Sequence, residues 1–280
     1  MKALLVVMLL ASCSTGRADE PPPAQSTMTV ASYNIRFDGI GEERWAWTER
    51  RERILETIRS LDADIVGLQE VTSWDGMEAV ASRQIPDLAQ GLPGYTLAGA
   101  QPSDRIWSSN PVLLRSSRFT VVDSGVLFFS RRPLRYPEGW WGDMSARFAR
   151  WVRVADSHRD GATLLVVNAH YSPVRLLHRW RSSGILIRHL PRIRHEGEAL
   201  IMLGDLNAQA GRPSVRRLLR RLELEDALAG ATGASYGGRR IDHILHSRDL
   251  GSSSGRVLRT PSGERMPSDH DPVRALLGQP

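Results

Sequence analysis

Apolar residues in this chain come in short runs separated by polar, often charged segments. Residues 28–33 (MTVASY) favour extended backbone and lead into Asn34. Ile54, Leu55, Ile58 and Leu61 recur at helical spacing within residues 49–61, with arginines on the other face, which predicts an amphipathic helix. Further strands are predicted over 65–68, 111–114, 119–129, 148–154, 164–167, 200–203, 241–245 and 273–277. A second helix is predicted over 176–190, where Leu176, Leu177, Trp180 and residues 185–190 supply the apolar face, and a short one over 215–222. No internal repeat and no second linker interrupt the pattern, so one domain is expected from 28 to 278.

Several predicted strands end in acids, amides or imidazoles: Asn34, Glu70, Asn168-Ala169-His170, Asp205-Leu206-Asn207 and Ser268-Asp269-His270. Strand ends along one edge of a packed sheet are rigid points at which such side chains can converge. A scattered distribution would carry no such implication.

The N-terminal segment breaks this texture. Met1-Lys2 is followed by residues 3–10 (ALLVVMLL) and then Leu10-Ala11-Ser12-Cys13. That apolar run has the length of a signal-peptide core and is too short for a membrane-spanning helix. The ending resembles a bacterial lipobox, which implies acylation of Cys13, the one cysteine of the chain. An ordinary secretory signal with a chance cysteine is the competing reading. Residues 1–13 are thus expected to be a lipoprotein signal, and 14–27, with three consecutive prolines, a flexible tether. Export to the bacterial envelope follows, with Ser14 favouring the outer membrane. Composition adds less. With 41% hydrophobic and 24% charged residues in 280, the chain can bury a sizeable core and is not disordered. A net charge of +6 favours anionic partners, although Lys2 is the sole lysine and a bias to arginine codons would explain the balance equally well.

The strand-end residues resemble, in order, the motifs of the endonuclease/exonuclease/phosphatase superfamily, the DNase I-like proteins. The matching elements are Tyr33-Asn34, Leu68-Gln69-Glu70-Val71, Asn168-Ala169-His170, Gly204-Asp205-Leu206-Asn207, Ile241-Asp242-His243-Ile244 and Ser268-Asp269-His270. Each alone is weak; the ordered set is specific. The resemblance implies an α+β fold, a four-layer α/β/β/α sandwich of two mostly antiparallel sheets. It also implies a Mg²⁺-dependent hydrolase of phosphoester bonds, with Mn²⁺ as an alternative metal.

A phosphodiester repels hydroxide, so its hydrolysis needs charge neutralisation and an aimed water, and hard oxygen donors suit Mg²⁺. By the resemblance, Glu70 is the principal metal ligand, Asn34 helps hold metal or phosphate, and Asp269 sits near the metal. Asp205 orients and deprotonates water, with Asn207 beside it as an amide donor. His270 stabilises the charged transition state, paired with Asp242, and His170 is a second histidine at the phosphate. Taken singly, Asp269-His270 reads equally as a capped turn and Asp242 as a surface carboxylate. The chain departs from many relatives at Tyr171-Ser172-Pro173, which lacks a carboxylate. His158, His178, His189, His195, His243 and His246 have no assigned counterpart and are expected to be ordinary polar or helix-face residues.

Asn34-Ile35-Arg36-Phe37-Asp38, Trp47, Arg50/Arg51, Asp123-Ser124-Gly125 and Gly139-Trp140 leading to Arg147 and Trp151 resemble the secreted bacterial branch related to CCR4-type deadenylases. That implies Arg147 reaches the site and grips phosphate, against a structural salt bridge as the other reading. The segment 131–141 (RRPLRYPEGWW) has three readings: a base-stacking surface, a lipid-dipping loop, or a plain surface loop with Trp140 turned inward. The expected function is a phosphodiesterase or nuclease acting by in-line attack of an activated water, in a monomer. A phosphomonoesterase or phospholipase C-like (sphingomyelinase-like) enzyme is the alternative, and a non-catalytic envelope binding protein a third.

Overall fold

The computed structural model describes residues 27–38, 45–72, 83–99, 108–136, 146–252, 254–263 and 266–278. The expected signal, Cys13 and nearly all of the tether lie outside these residues, as do 137–141 of the basic aromatic segment.

Two six-stranded sheets form the centre. The first contains β1 (Met28–Asn34), β2 (Ile65–Gln69), β4 (Tyr95–Ala98), β6 (Val112–Arg115), β13 (Arg256–Val257) and β14 (Val273–Leu277), in the order β13-β14-β1-β2-β6-β4. The second contains β7 (Phe119–Phe128), β8 (Phe148–Asp156), β9 (Thr163–His170), β10 (Ala199–Asp205), β11 (Leu224–Asp226) and β12 (Asp242–Ser247), in the order β11-β12-β10-β9-β8-β7. A short ladder joins β3 (Val71–Thr72) to β5 (Ser108–Ser109). Each sheet is antiparallel except for one parallel pairing, β1 with β2 and β9 with β10.

Period-two alternation sorts the strand residues into layers. Met28, Val30, Ile65, Val112, Leu164, Val166, Ala199, Ile201, Leu203, Ile244 and Ala275 fill the space between the sheets. Ala31, Tyr33, Val66, Leu68 and Leu113 face outward from the first sheet, under α1 (Trp47–Leu61) and α2 (Gln84–Gly91). Leu165, Val167, Leu200, Met202 and Leu245 face outward from the second, under α3 (Leu176–Ile193) and α4 (Pro213–Arg221). Helix, sheet, sheet, helix: the α+β four-layer sandwich is the fold.

The sheets touch closely. A Cβ on Gly67 would stand 2.9 Å from that of Leu203, so only glycine lets β2 and β10 approach there. At one end of the sandwich the buried Arg118 guanidinium meets Asp156 at 2.8–2.9 Å and Asp64 at 3.2 Å, pinning one sheet to the other. The opposite end carries the candidate site.

The predicted elements recur with shifted bounds. The first helix starts at Trp47 and the second runs on to Ile193, with Pro191 inside its last turn. Among the described residues α2, β3, β4, β5, β11 and β13 had no counterpart in the hydrophobic pattern. All are short, and for the strands ladder partners, not their own periodicity, make them. His243 and His246 correct the expectation of ordinary polar or helix-face residues: both lie fully buried in β12. The His243 ring donates to the Ala208 carbonyl at 2.7 Å and so holds the loop after β10.

Candidate active site

The inter-sheet face changes from apolar to polar at the same end of every central strand. On β1, Met28 and Val30 give way to Ser32 and Asn34; on β9, Leu164 and Val166 give way to Asn168 and His170. On β10, Ala199, Ile201 and Leu203 end at Asp205, and β12 opens with Asp242 two residues before Ile244. Register then sets these side by side: Asp205 lies opposite Asp242 and beside His170, and Asn34 beside Gln69. The same alternation that builds the core therefore carries the polar groups to one rim.

Below the rim an amide layer spans both sheets. Gln69 Nε2 donates to Asn168 Oδ1 at 2.7 Å and to Ser32 Oγ at 3.1 Å. Asn168 Nδ2 donates to the carbonyls of Leu68 and Pro111 at 2.7 and 2.9 Å. Satisfied amides at this depth fix the strand ends without charge.

Chain reversals then aim the groups above. Arg36, Glu70 and Asn207 hold left-handed backbone with φ of 58°, 60° and 48°, a conformation side chains other than glycine rarely adopt. Each reversal is tied. Arg36 N–H donates to Asn34 Oδ1 at 3.0 Å, Phe37 N–H to Glu70 Oε2 at 3.2 Å, and Asn207 N–H to Asp205 Oδ1 at 2.8 Å. Buried Arg50 donates to the carbonyls of Ile35, Arg36, Phe37, Trp45 and Pro267, joining the loop after β1 to the loop before Ser268. Burial draws its guanidinium down to about 10.

Most of the expected site residues meet. Asn34 Nδ2 stands between two carboxylates, 3.1 Å from Glu70 Oε1 and 3.2 Å from Asp205 Oδ2. His270 Nδ1 is 2.9 Å from Asp242 Oδ2, and its Nε2 is 3.8 Å from Asp205 Oδ2. His170 Nε2 is 3.5 Å from Asp205 and 3.9 Å from Glu70. Arg147 Nη1 lies 3.0 and 3.2 Å from the two His170 ring nitrogens and has no carboxylate partner among the described residues. Asn207 spends one amide hydrogen on the Tyr171 carbonyl at 3.1 Å, so the loop after β9 contributes backbone here. Asp269 stands apart, its carboxylate 2.5 Å from Arg36 Nη1. Tyr236 stacks on His270 with centroids 4.5 Å apart, a contact with no sequence signal beyond glycines on its C-terminal side.

Burial and charge set the protonation states. Asp205 is pushed up to about 7 by burial, with Asp242 and Glu70 adding to the rise. Burial opposes the charge on His270, but the charge and hydrogen bond of Asp242, then Asp205 and Asp269, carry it up to about 10. His170 falls well below the usual imidazole range through burial, then Arg147 and His270; its short distances to the carboxylates are therefore those of a neutral ring. One neutral and one charged imidazole flank a carboxylate poised near neutrality.

The donors fit a hard divalent cation. Asp205, Asp242 and His270 each bring a ligand-type atom within 4.8 Å of the others, and Asp242 Oδ1 is buried without a partner among the described residues. The His270–Asp242 hydrogen bond nevertheless occupies that pair. Glu70 and Asn34 are oxygen donors beside Asp205, and the Glu70 side chain, 19% exposed, leaves room for the waters Mg²⁺ retains.

The Endonuclease/Exonuclease/phosphatase family profile matches residues 31–270 of this chain, a span that contains all of these groups. The chain belongs to that family. Members are phosphoester hydrolases that depend on a divalent metal. An endonuclease/exonuclease/phosphatase from Bacteroides vulgatus superposes with a TM-score of 0.77 at 24% identity, over 90% of this chain and 98% of that one. A Bacteroides thetaiotaomicron mannosyl-6-phosphatase gives 0.76 at 23% identity, over 89% and 99%. The CCR4-Not complex 3'-5'-exoribonuclease subunit Ccr4 of Aspergillus fumigatus is 26% identical over 178 residues, 57% of this chain. The chain spans about a quarter of the length of the curated relatives it matches.

Proposed function

We propose that this family member is a phosphodiesterase of the nuclease type, acting by in-line attack of water on a phosphate held at the rim. The observation that carries the reading is the meeting of Asp205 with the Glu70–Asn34 pair, at 3.2 Å from Asn34 Nδ2, and with the His270–Asp242 pair, at 3.8 Å from His270 Nε2. Two cavities flank that meeting point and suit a phosphate substituted on both sides. One of about 380 Å³ lies along Tyr236, Arg259, Met266 and His270; one of about 450 Å³ lies along Asn207, Gln209 and Arg239.

Glu70 and Asn34 would hold Mg²⁺ or Mn²⁺, which supplies charge neutralisation at the phosphate. Ionised Asp205 takes the proton of the attacking water, with Asn207 N–H keeping its other oxygen in place. Cationic His270, oriented by Asp242, meets the charge that develops on the phosphoryl oxygens. Neutral His170 and the free amide hydrogen of Asn207 are further donors. Arg147 grips the phosphate from the His170 side. Asp269 holds Arg36 at the edge.

The test is turnover of bis-p-nitrophenyl phosphate, single-stranded RNA and DNA, and p-nitrophenyl phosphate by protein stripped with EDTA and reloaded with Mg²⁺ or Mn²⁺. The diester is expected to turn over at least about tenfold faster than the monoester. Phosphate release from the monoester alone overturns the diester assignment. No metal-dependent turnover of any substrate overturns the catalytic reading. A phosphomonoesterase is the second reading, because the uncompensated Arg147 suits a dianion. Export and acylation at Cys13 belong to the same proposal; palmitate labelling in a bacterial host, lost in Cys13→Ser, checks them.

A further inference from the structure

The helical layer over the second sheet has an unusual charge pattern. Residues 171–195 contain six arginines and residues 206–222 contain five, and neither segment contains an aspartate or glutamate. These segments hold α3 and α4, which pack against one another and turn Leu186, Leu190, Val215 and Leu218 down onto the sheet. Arg188 and Arg192 on α3, with Arg216, Arg220 and Arg221 on α4, are left on the outside. Carboxylates return only at the far end, at Glu196 and Glu223.

At the end nearest the site the same layer exposes apolar side chains. Val174 is 76% exposed, Leu176 69%, Leu177 55% and Trp180 43%. Arg217 lies over the Trp180 ring at 4.1 Å and donates to the Trp180 carbonyl at 3.2 Å, so apolar and cationic parts form one continuous surface across both helices. Arg179 donates to the Asn207 carbonyl at 2.6 Å, which puts the apolar end against the rim of the active site.

We propose that the outer face of α3 and α4 seats on an anionic phospholipid bilayer. Up to its far end, where Glu196 and Glu223 share a cleft with Arg220 and Arg221, this face carries arginine without carboxylate, a charge complementary to such a surface. The aliphatic cluster separates this partner from nucleic acid. Two leucines, a valine and a tryptophan gain from the acyl boundary and the headgroup level, while a phosphodiester backbone offers aliphatic side chains nothing. The helix lies flat on the sheet, the posture an interfacial helix needs. Seated this way, the mouth of the site opens next to the headgroups.

Cosedimentation of the full chain carrying Cys13→Ser, with vesicles of phosphatidylcholine alone or with a quarter phosphatidylglycerol, at about 0.1 M salt, tests the proposal. Any binding through residues 3–10 is common to all variants. Partition is expected to rise at least about 100-fold on the anionic vesicles. Arg216→Ser/Arg220→Ser/Arg221→Ser should lower it about 100-fold there, a factor of about five per arginine, and leave neutral vesicles unaffected. Leu176→Ser/Leu177→Ser should weaken binding to both. Unchanged melting temperatures tie the losses to the surface, and Arg220→Glu alone, expected to weaken anionic binding more than tenfold, carries the test should the triple variant melt early. Equal partition onto both vesicle types, or full retention by the arginine variants, overturns the proposal. So does tight binding of an RNA 20-mer through the same arginines without preference for anionic vesicles.

Discussion

Asp205 carries the most weight of any single residue, because fold and chemistry oppose each other there. Burial, with Asp242 and Glu70 close by, favours the protonated acid against the pull of cationic His270, whereas a base must be ionised. A cation held at Glu70, as proposed above, would resolve the conflict. Asp205→Asn is expected to lower kcat by about 10³-fold while the melting rise produced by Mg²⁺ survives; Glu70→Gln should abolish that rise. Calorimetry with and without EDTA separates the two. His270 gives the pH dependence. Its folded value, about 10, lies above the unfolded 6.5, so the stability from its contact with Asp242 is complete below pH 6.5 and drains away as pH climbs to about 10. Between pH 7 and 9 the metal-free protein should lose up to about 1.4 kcal/mol per unit in urea titrations, and Asp242→Asn should flatten the slope. The same variant should draw in the alkaline limb of the activity profile.

At the scale of elements, the strand ends do the positioning. Gly204 has φ 143°, and a Cβ there would stand 1.9 Å from the Ala169 carbonyl oxygen of the neighbouring strand. Gly204→Ala is therefore expected to cost more than about 3 kcal/mol by urea unfolding and to displace Asp205, one residue on, with a fall in kcat. Arg50 does for the loops what glycine does for the strands. Arg50→Met removes the donor that ties together the carbonyls of Ile35, Arg36, Phe37 and Pro267, of which Arg36 keeps only Gln84 Nε2, and a loss of about 3 kcal/mol should accompany the weakened metal response. Long interior strands such as β9 and β10 were legible in the sequence because both of their faces are apolar until the last residues. Helix α2 and strands β4, β11 and β13 were not, since elements this short have no periodicity of their own to read. The ion pair of Arg36 with Asp269 was equally hidden, because it joins residues far apart in the chain.

At the scale of the molecule, both sheets share one apolar layer and one polar rim, so core and site should fail together. Leu203→Ala, at the contact with Gly67, is expected to cost about 2–5 kcal/mol and to leave unfolding a single transition by far- and near-ultraviolet circular dichroism. Two separate transitions would show the sheets to be independent. The sequence by itself determined the sandwich and the chemical types at the strand ends, because alternation along a strand and motif order are local properties of the chain. Tertiary structure alone decided which of those groups touch. Register sets Asp205 opposite Asp242, reversed backbone turns Glu70 toward Asn34, burial makes His170 neutral, and Asp242 makes His270 cationic against its burial. Distances and solvent exclusion arise only when strands remote in the chain are brought side by side, and protonation follows from both.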